Sequence, residues 1–284
     1  MPSRRNLEVR SGFQGTMRRS PIISLLAACL LAAGAATALA ASLTGTPGDD
    51  TLTATAPGDE LFGEAGNDTL TAFAGGSYVE GGSGDDHVVG GSGIDLILAG
   101  TGNDNVDGGG ADDSIYAGPG SDAAIGGAGD DTLVGQGGDD RLFGGPGRDT
   151  IRLGAGAGFV SGGSGSDDVS ANGGQATLMS GPGSDTIVAI GGSFVIRGSM
   201  GKDRIRTSEG NDDVSGGTDS DGIATGGGND TIAVRDDMRD RVYCGSGHDT
   251  AYADQADLLK DCEKVVFDLP PRGDGGPGVK PSAR

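Results

Sequence analysis

Gly126-Gly127-Ala128-Gly129-Asp130-Asp131-Thr132-Leu133-Val134 is a nine-residue unit with close copies on either side of it. Gly81-Gly82-Ser83-Gly84-Asp85-Asp86-His87-Val88-Val89 precedes it, and Gly144-Gly145-Pro146-Gly147-Arg148-Asp149-Thr150-Ile151-Arg152 follows. From Gly45 to Ala233 the period runs for 189 residues, 21 units without an insertion. The sixth position is Asp in 17 of the 21 units, and the eighth is Leu, Ile or Val in 20, with Ala124 the exception. A phase held that long is not composition bias; it marks a repeat architecture.

Each position has a physical reading. Glycines at one, two and four permit positive φ and a tight turn. The aspartate at six offers a hard oxygen ligand. The triplet around position eight is extended, and its single aliphatic side chain points to one face of a short strand. One unit is then a turn plus a strand, and two units make an 18-residue coil. Stacked coils pair their strands in parallel and bury an aliphatic ladder.

The unit G-G-x-G-x-D-x-U-x resembles the calcium-binding nonapeptide of the repeats-in-toxin (RTX, haemolysin-type) family over Gly45 to about Ala233. That resemblance implies an all-β chain, a right-handed parallel β-roll solenoid of stacked 18-residue coils, with Ca2+ held between successive turns. An ion then needs Asp in units n and n+2. One edge offers Asp50, Asp68, Asp86, Asp104, Asp122 and Asp140, breaks at Gly158, Ala176 and Phe194, and resumes with Asp212 and Asp230. The other offers Asp59, breaks at Ser77, and runs on through Asp95, Asp113, Asp131, Asp149, Asp167, Asp185, Asp203 and Asp221. These pairs make thirteen candidate calcium sites. Asp59 is left out of them, because Pro57 replaces the fourth-position glycine and its neighbour is Ser77. One aliphatic per nine residues is a thin core, and stacked carboxylates repel without a cation. The roll is therefore expected to fold on binding calcium.

Three of the four units without the aspartate share another pattern: Gly75-Gly76-Ser77, Gly173-Gly174-Gln175 and Gly191-Gly192-Ser193. It reads as a second turn type that closes without metal. Drift in a repeat array explains these units; the sharper alternative is a calcium-free patch where Phe159 and Phe194 receive a partner.

Residues 1–40 read as a secretory leader: Arg18 and Arg19, an apolar run from about Ile22 to Ala36, then Ala38-Leu39-Ala40 before a cut. Met17 is an alternative start. Leu26-Ala27-Ala28-Cys29 resembles a lipobox, and Arg4-Arg5 hints at twin-arginine export, although the apolar run continues past Cys29 and lies far from the arginine pair. The run falls short of a membrane span, so no transmembrane anchor is expected in the mature chain. The roll is assigned to residues 41–233, a capping region to 234–267, and a disordered Pro/Gly-rich tail to 268–284. The phase slips after Asp230, because Asp240 and Asp249 follow at ten and then nine residues. With the leader gone, Cys244 and Cys262 are the remaining cysteines, and an exported chain lets them form a disulfide that staples the cap.

Composition narrows the function. Of 284 residues 59 are Gly, Trp is absent and the net charge is −21. An acidic chain disfavours nucleic-acid and anionic-membrane partners and favours cations. Two histidines 161 residues apart exclude H-E-x-x-H, and G-x-S-x-G and a complete phosphate loop are absent. A Cys244–His248 nucleophile reading yields to a structural cysteine. The family places a secretion signal at the carboxy terminus, and this chain departs from that with its amino-terminal leader. The reading is a secreted, calcium-binding repeat protein, extracellular and not an enzyme, with a structural or adhesive role and a cell-surface or matrix partner. The alternative is an extracellular hydrolase using a carboxylate site on the roll. Ice binding is a third idea, opposed by the variety at position seven (Thr51, Glu60, Tyr78, Arg141).

Overall fold

The computed structural model describes residues 40–267. The leader, apart from Ala40, and the carboxy-terminal tail lie outside the described residues. The chain winds as a parallel β-solenoid. Strands alternate between two 13-stranded sheets, one running from Ser42–Thr44 to Leu258–Lys260 and the other from Thr51–Thr53 to Lys264–Phe267, with a separate two-stranded pair of Gly227–Gly228 and Ser246–Gly247. There is no helix among the described residues.

The register carries the 18-residue coil directly. Leu133 pairs with Ile151 and Leu142 with Val160, eighteen residues on in each sheet. Strands inside the array bury their centres and show their flanks, as in Thr150–Arg152, where Ile151 is fully buried. The eighth-position side chains Leu61, Val88, Ile115, Leu142, Val169, Ile196 and Val214 are all at 0% exposure and form one continuous core with their neighbours. That core lies between the two sheets, where strand alternation directs every eighth-position side chain inward.

The glycines divide into two kinds. At positions two and four most take positive φ, such as Gly109 at 101° and Gly129 at 143°. A Cβ on either would overlap a carbonyl oxygen of the preceding coil, that of Gly91 or Ala111. First-position glycines such as Gly108 and Gly126 do not have positive φ. The expectation that they serve the turn by backbone freedom is corrected: they are there for space. A Cβ on Gly108 would lie 2.7 Å from Asp113 Oδ2 and 2.6 Å from the Gly126 carbonyl oxygen. Ala54, Ala72, Ala99, Ala117, Ala171 and Ala189 occupy the same position in six units, and Leu153 in another, so the space is tight but not absolute.

Residues 234–267 continue both sheets. The extra residue after Val234 is absorbed in a turn: Ile223 pairs with Val242 and Ile232 with Ala251, each a step of nineteen. The last rung then closes with shorter steps, Val242 to Leu259 and Ala251 to Val265. A disulfide joins Cys244 to Cys262, with Cα atoms 5.1 Å apart. It ties one coil to the next, and Cys244 is itself part of the buried core.

Candidate metal centres

The turns between strands line up along two edges of the solenoid, and each edge carries a row of aspartates. Within a row the backbone N–H of one aspartate donates to Oδ1 of the aspartate in the next coil. On the first edge Asp50, Asp68, Asp86, Asp104 and Asp122 each donate to the following member, ending at Asp140, at 2.8–3.0 Å. The row resumes with Phe194 N to Asp212, Asp212 to Asp230 and Asp230 to Asp249. On the second edge it starts at Ser77 N and passes through Asp95, Asp113, Asp131, Asp149, Asp167, Asp185, Asp203 and Asp221. The i→i+18 pairs read from the sequence are therefore neighbours in space.

One carboxylate oxygen of each is thus engaged. The other is not. Oδ2 of Asp68, Asp86, Asp104, Asp122, Asp140, Asp212 and Asp230, and of Asp95, Asp113, Asp131, Asp149, Asp167, Asp185, Asp203 and Asp221, is buried without a hydrogen-bond partner. Such an atom is costly unless something satisfies it. Asp50 differs: it is only partly buried, and its Oδ2 accepts from Thr46 N and Thr46 Oγ1.

Charge reflects this geometry. Burial pushes Asp95 up to about 7, helped by repulsion from Asp113. Burial likewise brings Asp113, Asp149, Asp203 and Asp221 to about 7 and Asp104, Asp122 and Asp167 to about 6, although backbone N–H donation pulls the other way. Asp59 is the exception. Burial raises it, but N–H groups of Ala41, Thr55 and Ala56 outweigh that and hold it below the usual range. Both its oxygens are taken, Oδ1 by Ala41 and Oδ2 by Thr55 and Ala56.

These residues fit Ca2+. The unpartnered atoms are carboxylate oxygens, and where the unit opens on glycine, as at Gly108 and Gly126, that oxygen and a carbonyl oxygen of the next coil both border the position a Cβ would take. An all-oxygen set of this kind suits a hard divalent cation. Among the described residues no three His, Cys, Asp or Glu side chains converge on one point, so an ion here completes its shell with backbone or water oxygens.

The three breaks on the first edge are plugged instead. Phe194 is 1% exposed and occupies the sixth position itself. A Cβ on Gly158 would meet the methyl groups of Leu153, which is fully buried. Ala176 is buried beside Ala171 in the same core. The sharper alternative, a patch in which Phe159 and Phe194 receive a partner, is changed in its anchors: Phe194 is buried rather than exposed, and Phe159 rests half-buried against Phe143, ring centroids 5.5 Å apart.

Two further features were not read from the sequence. The fifth position forms an outer row running the opposite way, in which Asn67 N donates to Asp49, Asp85 N to Asn67 and Asn103 N to Asp85. The aspartate rows also extend past the repeats. Asp221 N donates to Asp240 and Asp240 N to Asp257, while Asp249 N donates to Glu263. Asp240 and Asp249 each keep an unpartnered Oδ2. Their signal was the shifted spacing of ten and nine residues.

The profile of the RTX calcium-binding nonapeptide repeat (4 copies) matches residues 44–79, 58–88, 74–97, 80–115, 89–124, 116–151, 125–160, 153–187 and 197–232. Together these overlapping matches take in more than half of the chain. Among curated proteins none matches. Among solved structures the chain is similar to a hyperactive, Ca2+-dependent, beta-helical antifreeze protein from an Antarctic bacterium. The identity is 21%, over 77% of this chain and 86% of that one, with a TM-score of 0.38.

Proposed function

This chain belongs to the RTX calcium-binding nonapeptide repeat family, and from that premise we propose that it is an exported protein whose roll folds around calcium and then acts by binding rather than catalysis. The calcium ligands are the sixth-position aspartates of the two rows, Asp50 included as the first member. The observation that carries this reading is the buried, unpartnered Oδ2 repeated at Asp68 through Asp140 and at Asp95 through Asp221. A cation satisfies these atoms and removes the repulsion between successive carboxylates. Extracellular modules bind calcium at roughly 10⁻⁴–10⁻³ M, matching an outside environment rather than a signalling one.

The use of the folded roll is structural or adhesive, at a cell surface or in a matrix. Support comes from its form: an extended array whose outward strand positions vary freely while the edges stay constant. Far-UV circular dichroism of the full chain during a calcium titration, with magnesium as control, tests the core of this reading. A calcium-specific coil-to-β transition is expected; a chain fully β in chelator overturns it. A substrate panel in calcium that revealed turnover would overturn the binding role alone.

A further inference from the structure

The outer face of one sheet changes sign along its length. No Lys or Arg occurs between residues 41 and 140, a stretch that carries Asp or Glu in nearly every turn. On the sheet that runs from Ser42–Thr44 to Leu258–Lys260, this half shows Glu60 and Glu80, both half-buried, beside Phe62, Tyr78, Leu98 and Tyr116. Register sets them side by side: Phe62 neighbours Glu80, Glu80 neighbours Leu98, and Leu98 neighbours Tyr116. The Tyr78 ring lies 5.6 Å from that of Phe62, and its hydroxyl donates to Glu80 at 3.0 Å. Past the middle of the same face, Arg204, Arg206 and Arg241 are exposed and carry no ion pair among the described residues. Gly222 and Ala224 pair between them and leave the surface low there. On the other sheet Arg197 already has its partner, Asp213.

We propose that two copies of this chain pair through this face, antiparallel along the solenoid, about a two-fold axis between the strands Thr132–Gly137 and Thr150–Arg152. The axis runs along the strands, so each repeat position meets the same position of the other copy. Glu80 then faces Arg206 of the partner subunit, and the Tyr78 ring receives Arg204 of the partner subunit in a cation–π contact. Leu98 meets Val188 of the partner subunit, and Phe62 settles over the low Ala224 of the partner subunit. A two-fold contact is self-complementary, so each of these pairs occurs twice. Solenoids paired in the same direction would set acid against acid. Thirteen strands about 4.8 Å apart make a strip roughly 60 Å long, and three residues at about 3.3 Å each make it roughly 10 Å wide. The resulting ~600 Å² is most of the about 800 Å² that a stable interface takes from each partner.

Sedimentation equilibrium of the full chain in saturating calcium tests the pairing; the calcium keeps the roll folded, and the pairing does not otherwise rest on the calcium reading. A dimer is expected that weakens as salt rises, because its charge pairs are screened. Glu80→Arg and Arg206→Glu are each expected to weaken it by about a hundredfold or more, since the two-fold axis repeats the like-charge contact. The two substitutions together reverse the pair and are expected to recover the dimer. A wild-type monomer overturns the proposal. So does a dimer that neither single substitution weakens, or one that the double substitution fails to recover. If a variant does not fold by circular dichroism, Arg206→Lys with a zero-length carbodiimide decides, in a mixture of isotopically light and heavy chains. A cross-link from Glu80 to position 206 between light and heavy chains is expected, and its absence overturns the proposal.

Discussion

An aspartate with one oxygen accepting from the preceding coil's N–H and the other held dry is a half-satisfied group, and its worth depends on what meets the second oxygen. Asp113 and Asp59 separate the two outcomes. Asp113→Asn removes the charge a cation needs and is expected to lower calcium affinity by about tenfold or more at its turn, read by isothermal titration. Asp59→Asn leaves calcium stoichiometry unchanged in the same experiment, because backbone N–H groups already hold both oxygens. Phe194 shows the metal-free solution. Phe194→Ala empties a buried site and is expected to cost about 3–5 kcal/mol, measured by urea denaturation in saturating calcium. At this scale the eighth-position aliphatics and sixth-position aspartates were legible because one residue type recurs. The outer row at position five was not. Asp49, Asn67, Asp85 and Asn103 share only an acceptor oxygen, which identity-based reading does not see. Phe194 misled because an aromatic in a repeat otherwise poor in aromatics looks like a surface anchor, and only the packing shows it turned inward.

Each edge is an element in its own right, a row of carboxylates with a shared electrostatic state. Asp95, Asp113, Asp149, Asp203 and Asp221 sit near 7 because burial disfavours their charge. In the unfolded chain they ionise near 3.8. Between those values the folded, cation-free roll holds more protons than the unfolded chain, so its stability falls as pH rises through the window and is retained below it. Calcium binding has the opposite dependence, since the ligands must lose protons first. In chelator, a shift from pH 8 to pH 5 is expected to raise the residual β content. In subsaturating calcium the same shift is expected to raise the calcium needed for folding. Circular dichroism at both pH values checks both signs. The disulfide belongs to this scale too. Replacing Cys244 and Cys262 by Ser is expected to cost about 3 kcal/mol, with fraying that starts at the Leu258–Lys260 and Lys264–Phe267 strands.

Over the whole molecule, coils are nearly interchangeable, because each one contacts only the coils beside it. Deletion of residues 108–125 removes one full coil and keeps every later residue on its own sheet and edge. The shortened chain is expected to keep its β spectrum in calcium and to bind fewer ions. A nine-residue deletion of 126–134 would instead exchange the two edges downstream, moving the plugs at 158, 176 and 194 onto the other row. This coil arithmetic was legible in the sequence up to residue 233; beyond it, an inserted residue hid two further rungs that strand pairing restores. The aspartate rows also have a direction. The donor N–H always belongs to the earlier coil and the acceptor carboxylate to the later one. A ribosome or an export channel that delivers the amino end first therefore releases each coil before the residue that completes it has emerged. Folding must trail delivery by one coil, and the column is finished only when Asp257 and Glu263, which accept the last two N–H groups, arrive.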